Sequence, residues 1–83
     1  MVKVVFFASI RESLGTADLQ IAVSEPASIA TLVAQLAAMH GDHWALELNR
    51  DNVLVAVNQA LAERHQNIVA GDEVAFFPPV TGG

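Results

Sequence analysis

Between Ser28 and Gly41 the apolar residues switch to helical spacing, and this one stretch dictates what the remainder can build. Ile29, Leu32, Val33 and Leu36, continued by Met39 or His40, form a stripe at i, i+3, i+4 and i+7. Alanines at 30, 34, 37 and 38 favour the helix and thin its outer face. Ser28 is a suitable N-cap, and Gly41 a suitable stop. The flanking apolar segments repeat every second residue instead. One helix among strands has to lay its stripe across a single sheet.

The strands read as follows. Val2 to Ser9 is β-branched and aromatic, with Val2, Val4, Phe6 and Ala8 on one face and Lys3, Val5, Phe7 and Ser9 on the other. Bulky apolar groups on both faces predict a central strand. Ile10 to Thr16 reads as a loop with room for one helical turn. Asp18 to Ser24 alternates, with Leu19, Ile21 and Val23 on one side, and is predicted to pair antiparallel with the first strand. Asp42 to Asp51 fits two patterns: alternation through Trp44, Leu46 and Leu48, or a short helix. Val53 to Val57 is a strand, Asn58-Gln59 a turn, and Ala60 to Ala62 a short return strand. Gly71-Asp72 is a second turn. Glu73 to Phe77 is the last strand, with Val74 and Phe76 on one face and Ala75 and Phe77 on the other.

The order β-β-α-β-(short β)-β, with a helical crossover, lets the later strands run parallel to the first. It predicts an α+β chain of the β-grasp, ubiquitin-like type: a mixed four- to five-stranded sheet with one main helix across one face. Residues 1–77 form the domain and 78–83 an extended tail.

Composition narrows the function. Eighty-three residues make one small domain with a thin core. There is no cysteine, so disulfides, zinc–cysteine sites and thiol catalysis are excluded within the chain. The apolar fraction is 53%, which requires an efficient core or an apolar surface that a partner covers. A net charge of −5 argues against nucleic acid and against an anionic membrane surface, and favours a partner with a basic face. The start lacks signal-peptide features, and no apolar run approaches a membrane span, so the expectation is a cytoplasmic protein.

Candidate chemistry is sparse. His40-Gly41-Asp42-His43 places two imidazoles beside a carboxylate, but nothing in the spacing supplies further ligands, and a structural or solvated role is the better reading; no metal site is expected. Arg11-Glu12 and Arg64-His65 are isolated polar pairs that could serve a partner surface, with solvated loop charge the better reading; Asp72-Glu73 reads as a turn beside the last strand, though its two carboxylates would suit docking to a basic partner. No nucleophile–base set, paired catalytic carboxylates or phosphate-cradling loop is present in the sequence. The distinctive chemical group is the α-carboxylate of Gly83, ionised at neutral pH with a reference pKa of ~3.5. It follows Pro78-Pro79, which favour a stiff exit, Val80-Thr81, and the glycine pair Gly82-Gly83, which threads where no side chain fits. Six residues span roughly 20 Å when extended.

Val55-Ala56-Val57-Asn58-Gln59 and the run Gly71-Asp72-Glu73-Val74-Ala75-Phe76-Phe77-Pro78-Pro79-Val80-Thr81-Gly82-Gly83 resemble the small, sulfur-carrying subunits of molybdopterin synthase. Lys3 to Ala8, Arg11-Glu12, Gly15 and Trp44-Ala45-Leu46 extend the resemblance along the whole chain. The resemblance implies a β-grasp fold without catalytic activity of its own or a tightly bound cofactor. It implies that Gly83 is adenylated by a separate E1-like activating enzyme that consumes ATP, and is then converted to a thiocarboxylate. The tail, with Gly82 and Gly83 at its tip, enters the large synthase subunit. There sulfur passes to cyclic pyranopterin monophosphate, and two transfers build the molybdopterin dithiolene. The assembly implied is a heterotetramer with two carriers. Phe7, Phe77, Pro78, Pro79, Val80 and Thr81 are the expected partner-binding residues. A ubiquitin-like modifier, a sulfur carrier for another pathway such as thiamine, and a plain binding module with an idle tail remain as alternatives.

Overall fold

The computed structural model describes residues 1–79. The chain runs β1 (Val2–Phe6), α1 (Ala8–Leu14), β2 (Asp18–Ile21), β3 (Ala27–Ser28), α2 (Ile29–His40), α3 (Asp42–Leu48), β4 (Leu54–Val57), β5 (Ala60–Ala62), β6 (Asn67–Ile68) and β7 (Glu73–Phe77). The main sheet has five strands in the order β2-β1-β7-β4-β5, and β3 pairs with β6 in a separate two-stranded ribbon. β1 and β7 are parallel, and the other pairings are antiparallel. This is the expected mixed sheet, crossed by α2. The first strand is central, as its two apolar faces predict.

α2 begins and ends where the sequence places it. Thr31 N–H donates to the Ser28 hydroxyl at 3.2 Å, and Ser28 N–H donates to the Thr31 hydroxyl at 2.7 Å, a reciprocal cap. The Ala30 and Ile29 amides donate to the Arg64 and Gln66 carbonyls, so the loop before β6 completes the cap. Ile29, Leu32, Val33 and Leu36 are buried; Met39 and His40 are exposed. Against this stripe the sheet turns Val2, Val4, Phe6, Val55, Val57, Val74 and Phe76. Phe6 stacks near Phe76, with ring centres 5.9 Å apart, and meets Trp44 edge-on at 5.4 Å.

Two expectations need correction, and one reading left open is decided. β1 ends at Phe6, and Ala8 to Leu14 form a helix where a loop is predicted. Only Ile10 of α1 is buried, and its N-cap, Phe7, makes no side-chain cap. The stop is clear: Gly15 takes φ +67°, the left-handed conformation that glycine adopts freely. Second, Asp42–Leu48 resolves as a helix. Its buried positions are Trp44, Glu47 and Leu48, at i, i+3 and i+4, and a glutamate in an apolar slot hides that stripe. Glu47 is tolerated there because Arg50 Nε lies 3.3 Å from its carboxylate. Leu46, which the alternating pattern would bury, is 72% exposed. Third, β2 stops at Ile21, short of Ser24.

At the start of β7 a polar clasp joins two turns. Asn58 and Gln59 both have positive φ, +50° and +71°, as a tight two-residue hairpin requires. The Asn58 amide donates to Asp72 Oδ1 at 2.9 Å, Val69 N–H donates to Asp72 Oδ2 at 2.9 Å, and Glu73 N–H donates to Asn58 Oδ1 at 2.9 Å. The Val69 amide, then the Asn58 amide, hold the Asp72 carboxyl below the ordinary carboxylate value against a small opposing desolvation. Asp72 and Asn58 therefore serve the fold, fixing where β7 begins.

Leu36→Ala should lower unfolding free energy by about 2–5 kcal/mol, because the side chain is fully buried. Leu46→Ala should stay within about 0.5 kcal/mol, the usual range for a surface site. Urea unfolding of both variants checks the helix at 42–48 against the alternating reading. The clasp gives a pH signature. A depressed folded pKa contributes stability above the unfolded carboxylate value, about 3.9, and loses it as pH falls through the folded value. The stability gap between the wild-type chain and Asp72→Asn should thus narrow below about pH 3.9; urea midpoints across that range measure it.

Candidate functional site: the exit of the last strand and the open sheet face

The helices and the β3–β6 ribbon cover one face of the sheet. The other face is read from the register. Val5, Ala75, Ala56 and Leu61 lie in one row across β1, β7, β4 and β5. Phe77 and Leu54 pair in the next row toward the end of β7. Phe7 stands one residue past the Phe6–Phe76 pair, and its N–H donates to the Phe76 carbonyl at 3.1 Å. In the opposite direction the row turns polar, with Gln20, Lys3 and Glu73 side by side. The apolar part of this face therefore lies at the end where β7 leaves the sheet.

Exposure follows the same division. Phe7 is 47% exposed and Leu61 73%, while Leu54 is exposed and Phe77 half-buried. Phe6 and Phe76, their sequence neighbours, are buried. Each Phe-Phe pair thus gives one ring to the core and one to the open face, because neighbouring strand residues point to opposite sides. Pro78 is half-buried and Pro79 exposed. The four remaining expected site residues, Val80, Thr81, Gly82 and Gly83, lie outside the described residues.

The other polar candidates fall elsewhere. His40 stacks on Trp44 with ring centres 4.3 Å apart. His43 Nε2 lies 3.2 Å from the Ser13 carbonyl, tying α3 to the end of α1. Among the described residues no group of three ligating side chains is placed to hold a metal. Arg11 and Glu12 are on α1 and exposed. Arg64 departs from the expectation of a solvated loop charge. It is half-buried, its Nη2 donates to the Val53 carbonyl at 3.1 Å, and its guanidinium lies 5.7 Å from the centre of the Phe76 ring. An arginine followed by histidine and glutamine gives no periodic signal for burial; only the packing of the sheet end against the loop reveals it.

No helix among the described residues is long and apolar enough to cross a membrane. The arrangement suits presentation: an apolar shelf, a strand leaving beside it, and a stiff two-proline root.

Comparison with known proteins agrees with this geometry. The ThiS family model matches residues 4–83. The molybdopterin synthase sulfur carrier subunit of Escherichia coli is 47% identical over 83 residues, the full length of both chains. That of Haemophilus influenzae is 43% identical, again over the full length of both. Among solved structures, small archaeal modifier protein 1 of Haloferax volcanii superimposes with a TM-score of 0.82 at 25% identity, covering 95% of this chain and 97% of the other. The sheet order, the crossing helix and these matches establish the ubiquitin-like β-grasp fold, and the chain belongs to the ThiS family, with molybdopterin synthase sulfur carrier subunits as its full-length relatives.

Proposed function

We propose that the chain is the sulfur carrier subunit of a molybdopterin synthase. The observation that carries this reading is the 47% identity, end to end, with a protein of that name. The geometry supports it, because the apolar shelf and the tail root adjoin.

In this reading the reactive atoms are those of the Gly83 carboxyl. A carboxylate is a poor electrophile. An E1-like enzyme joins it to the α-phosphate of ATP and releases pyrophosphate, leaving an acyl-adenylate with a good leaving group. A sulfur nucleophile then displaces AMP and leaves a thiocarboxylate. This sulfur is softer and more nucleophilic than the oxygen it replaces, so sulfur is delivered without a cysteine in the chain. In the large subunit it attacks cyclic pyranopterin monophosphate; hydrolysis returns the carboxylate, and a second charged carrier completes the dithiolene. Gly82 and Gly83 let the tip enter two different pockets. Pro78 and Pro79 reduce the entropy lost when either pocket orders the tail. Phe7, Leu54, Leu61 and Phe77 form the surface that the large subunit covers, and Pro78, Pro79, Val80 and Thr81 are further residues that it binds. The work of the chain is cytoplasmic, where ATP is available.

The structural likeness to an archaeal modifier protein favours one second reading, a ubiquitin-like modifier whose Gly83 is joined to lysines on other proteins.

Incubation with ATP, the activating enzyme and a sulfide source, followed by mass analysis of the C-terminal peptide, separates the two. The expected result is replacement of one carboxyl oxygen by sulfur on Gly83. The peptide is informative because methionine oxidation mimics that mass change, and both methionines, Met1 and Met39, lie outside it. An unmodified Gly83, with a working carrier alongside as control, overturns the carrier reading; isopeptide conjugates would support the modifier. Phe7→Ala and Phe77→Ala should each weaken binding to the large subunit by about tenfold or more while leaving the fold intact, as for aromatic anchors at an interface. Titration calorimetry and circular dichroism check the two halves of that statement.

A further inference from the structure

Arg64 lies between β5 and β6 and reaches back across the end of the core. Its Nη2 has the Val53 carbonyl, but its Nη1 is buried and has no hydrogen-bond partner among the described residues. Among those residues no carboxylate comes within ion-pair distance of it; Glu47 is engaged by Arg50, and Glu63 by His65, each at 3.3 Å. Burial lowers the guanidinium pKa from its ordinary value, yet arginine keeps its proton in proteins. The Phe76 ring offsets part of the lost hydration through its π face. A partly desolvated cation whose Nη1 has no acceptor is still an incompletely satisfied group.

Its position is specific. Val53 directly precedes Leu54, the register partner of Phe77, and Phe77 leads into Pro78. Arg64 therefore sits at the root of the tail. It separates two clefts, one of about 490 Å³ bordered by Leu54, Leu61 and His65, the other of about 240 Å³ bordered by Asn49, Arg50 and Asp51.

We propose that Arg64 is a docking residue for the large subunit that accepts the tail, and that its guanidinium takes a carboxylate from that subunit's surface. The inference rests on the proposed function, since it assigns a contact within that complex. A protein that holds the extended tail has to cover its root. The nucleotide chemistry of the proposed function belongs to Gly83, six residues along the chain from Phe77, and the root is a separate place on the carrier. A neutral carbonyl is already present and leaves the charge uncompensated. A carboxylate matches both the planar fork and its charge. Because Nη1 is shielded in the free chain, the fork turns on its stem into a cleft to meet it.

The test is calorimetric titration of the cognate large subunit with the wild-type chain, Arg64→Met and Arg64→Lys at low and high salt. Met keeps a stem against Phe76 and removes the cation. Arg64→Met is expected to bind at least about tenfold more weakly and to lose the part of the salt dependence that this one pair carries, with Arg64→Lys recovering part of both. Its melting temperature should match or exceed that of the wild type, because an under-satisfied charge has gone. Equal affinity for the Met variant and the wild type overturns the proposal. So does weaker binding that comes with a lower melting temperature and an unchanged salt dependence, which marks a packing role. Failure of the wild-type chain itself to bind would defeat the proposed function and this inference together, and that arm separates the two.

Discussion

Everything in this fold leans on the parallel pairing of β1 with β7. The first and last strands meet at the centre of the sheet, with Val4 beside Val74 and Phe6 beside Phe76. Parallel neighbours cannot be joined by a tight turn and need a long crossover. The chain between them supplies one, with α2 lying over the core face. Register is fixed by what each face can hold. A shift of β7 by one residue would turn Phe77 and Ala75 into the core and expel Phe76 and Val74. The ring stack between Phe6 and Phe76, braced by Trp44, resists that shift. At the other end of β7 the Asn58–Asp72 clasp sets its starting point. The pairing that closes the core thus also determines where the strand ends and in which direction Pro78 leaves.

The sequence was readable where one element carries a full period. α2 spans three turns with a cap and a stop, and β7 alternates cleanly between the Gly71-Asp72 turn and the Pro78-Pro79 pair, so both emerge from spacing alone. The shorter elements fail for physical reasons. α1 buries one residue, and a seven-residue helix with a single anchor has no period to detect. α3 places Glu47 in its buried stripe, and the loss of an apolar marker there left alternation through Trp44, Leu46 and Leu48 as open a reading as the helix. β3 and β6 have two residues each and are set by their partner, not by propensity. At the site, the pairs Phe6-Phe7 and Phe76-Phe77 announced that one ring of each would lie outside the core. The place of Arg64 was not legible, because an arginine is buried by its surroundings and not by its own pattern.

The open face answers the surplus of apolar residues. A domain of this size can bury only part of what it carries. Phe7, Leu54, Leu61 and Phe77 remain on the second side of the sheet, gathered at the tail end, while Gln20, Lys3 and Glu73 make the far end polar. Scattered apolar residues on a surface mean little, but a row of them beside a strand exit is directional. A partner seated on that row is already aligned with the tail.

In the proposed function the glycine tip enters more than one enzyme, and this creates a problem of discrimination. Gly82 and Gly83 have no side chains by which a pocket can recognise their owner, and the adenylation and sulfur-transfer steps of the proposed function act on backbone atoms common to every such ending. Selectivity therefore has to come from groups that stay outside the pocket. The apolar row supplies area, which is permissive, since any matching hydrophobic surface can cover it. Charge is stricter: an under-satisfied guanidinium at the tail root rewards a partner with a carboxylate in one place and penalises one that buries it against apolar atoms. In the proposed complex, the shelf would hold the carrier and Arg64 would test its fit, leaving the tip free of any sequence beyond what threading demands.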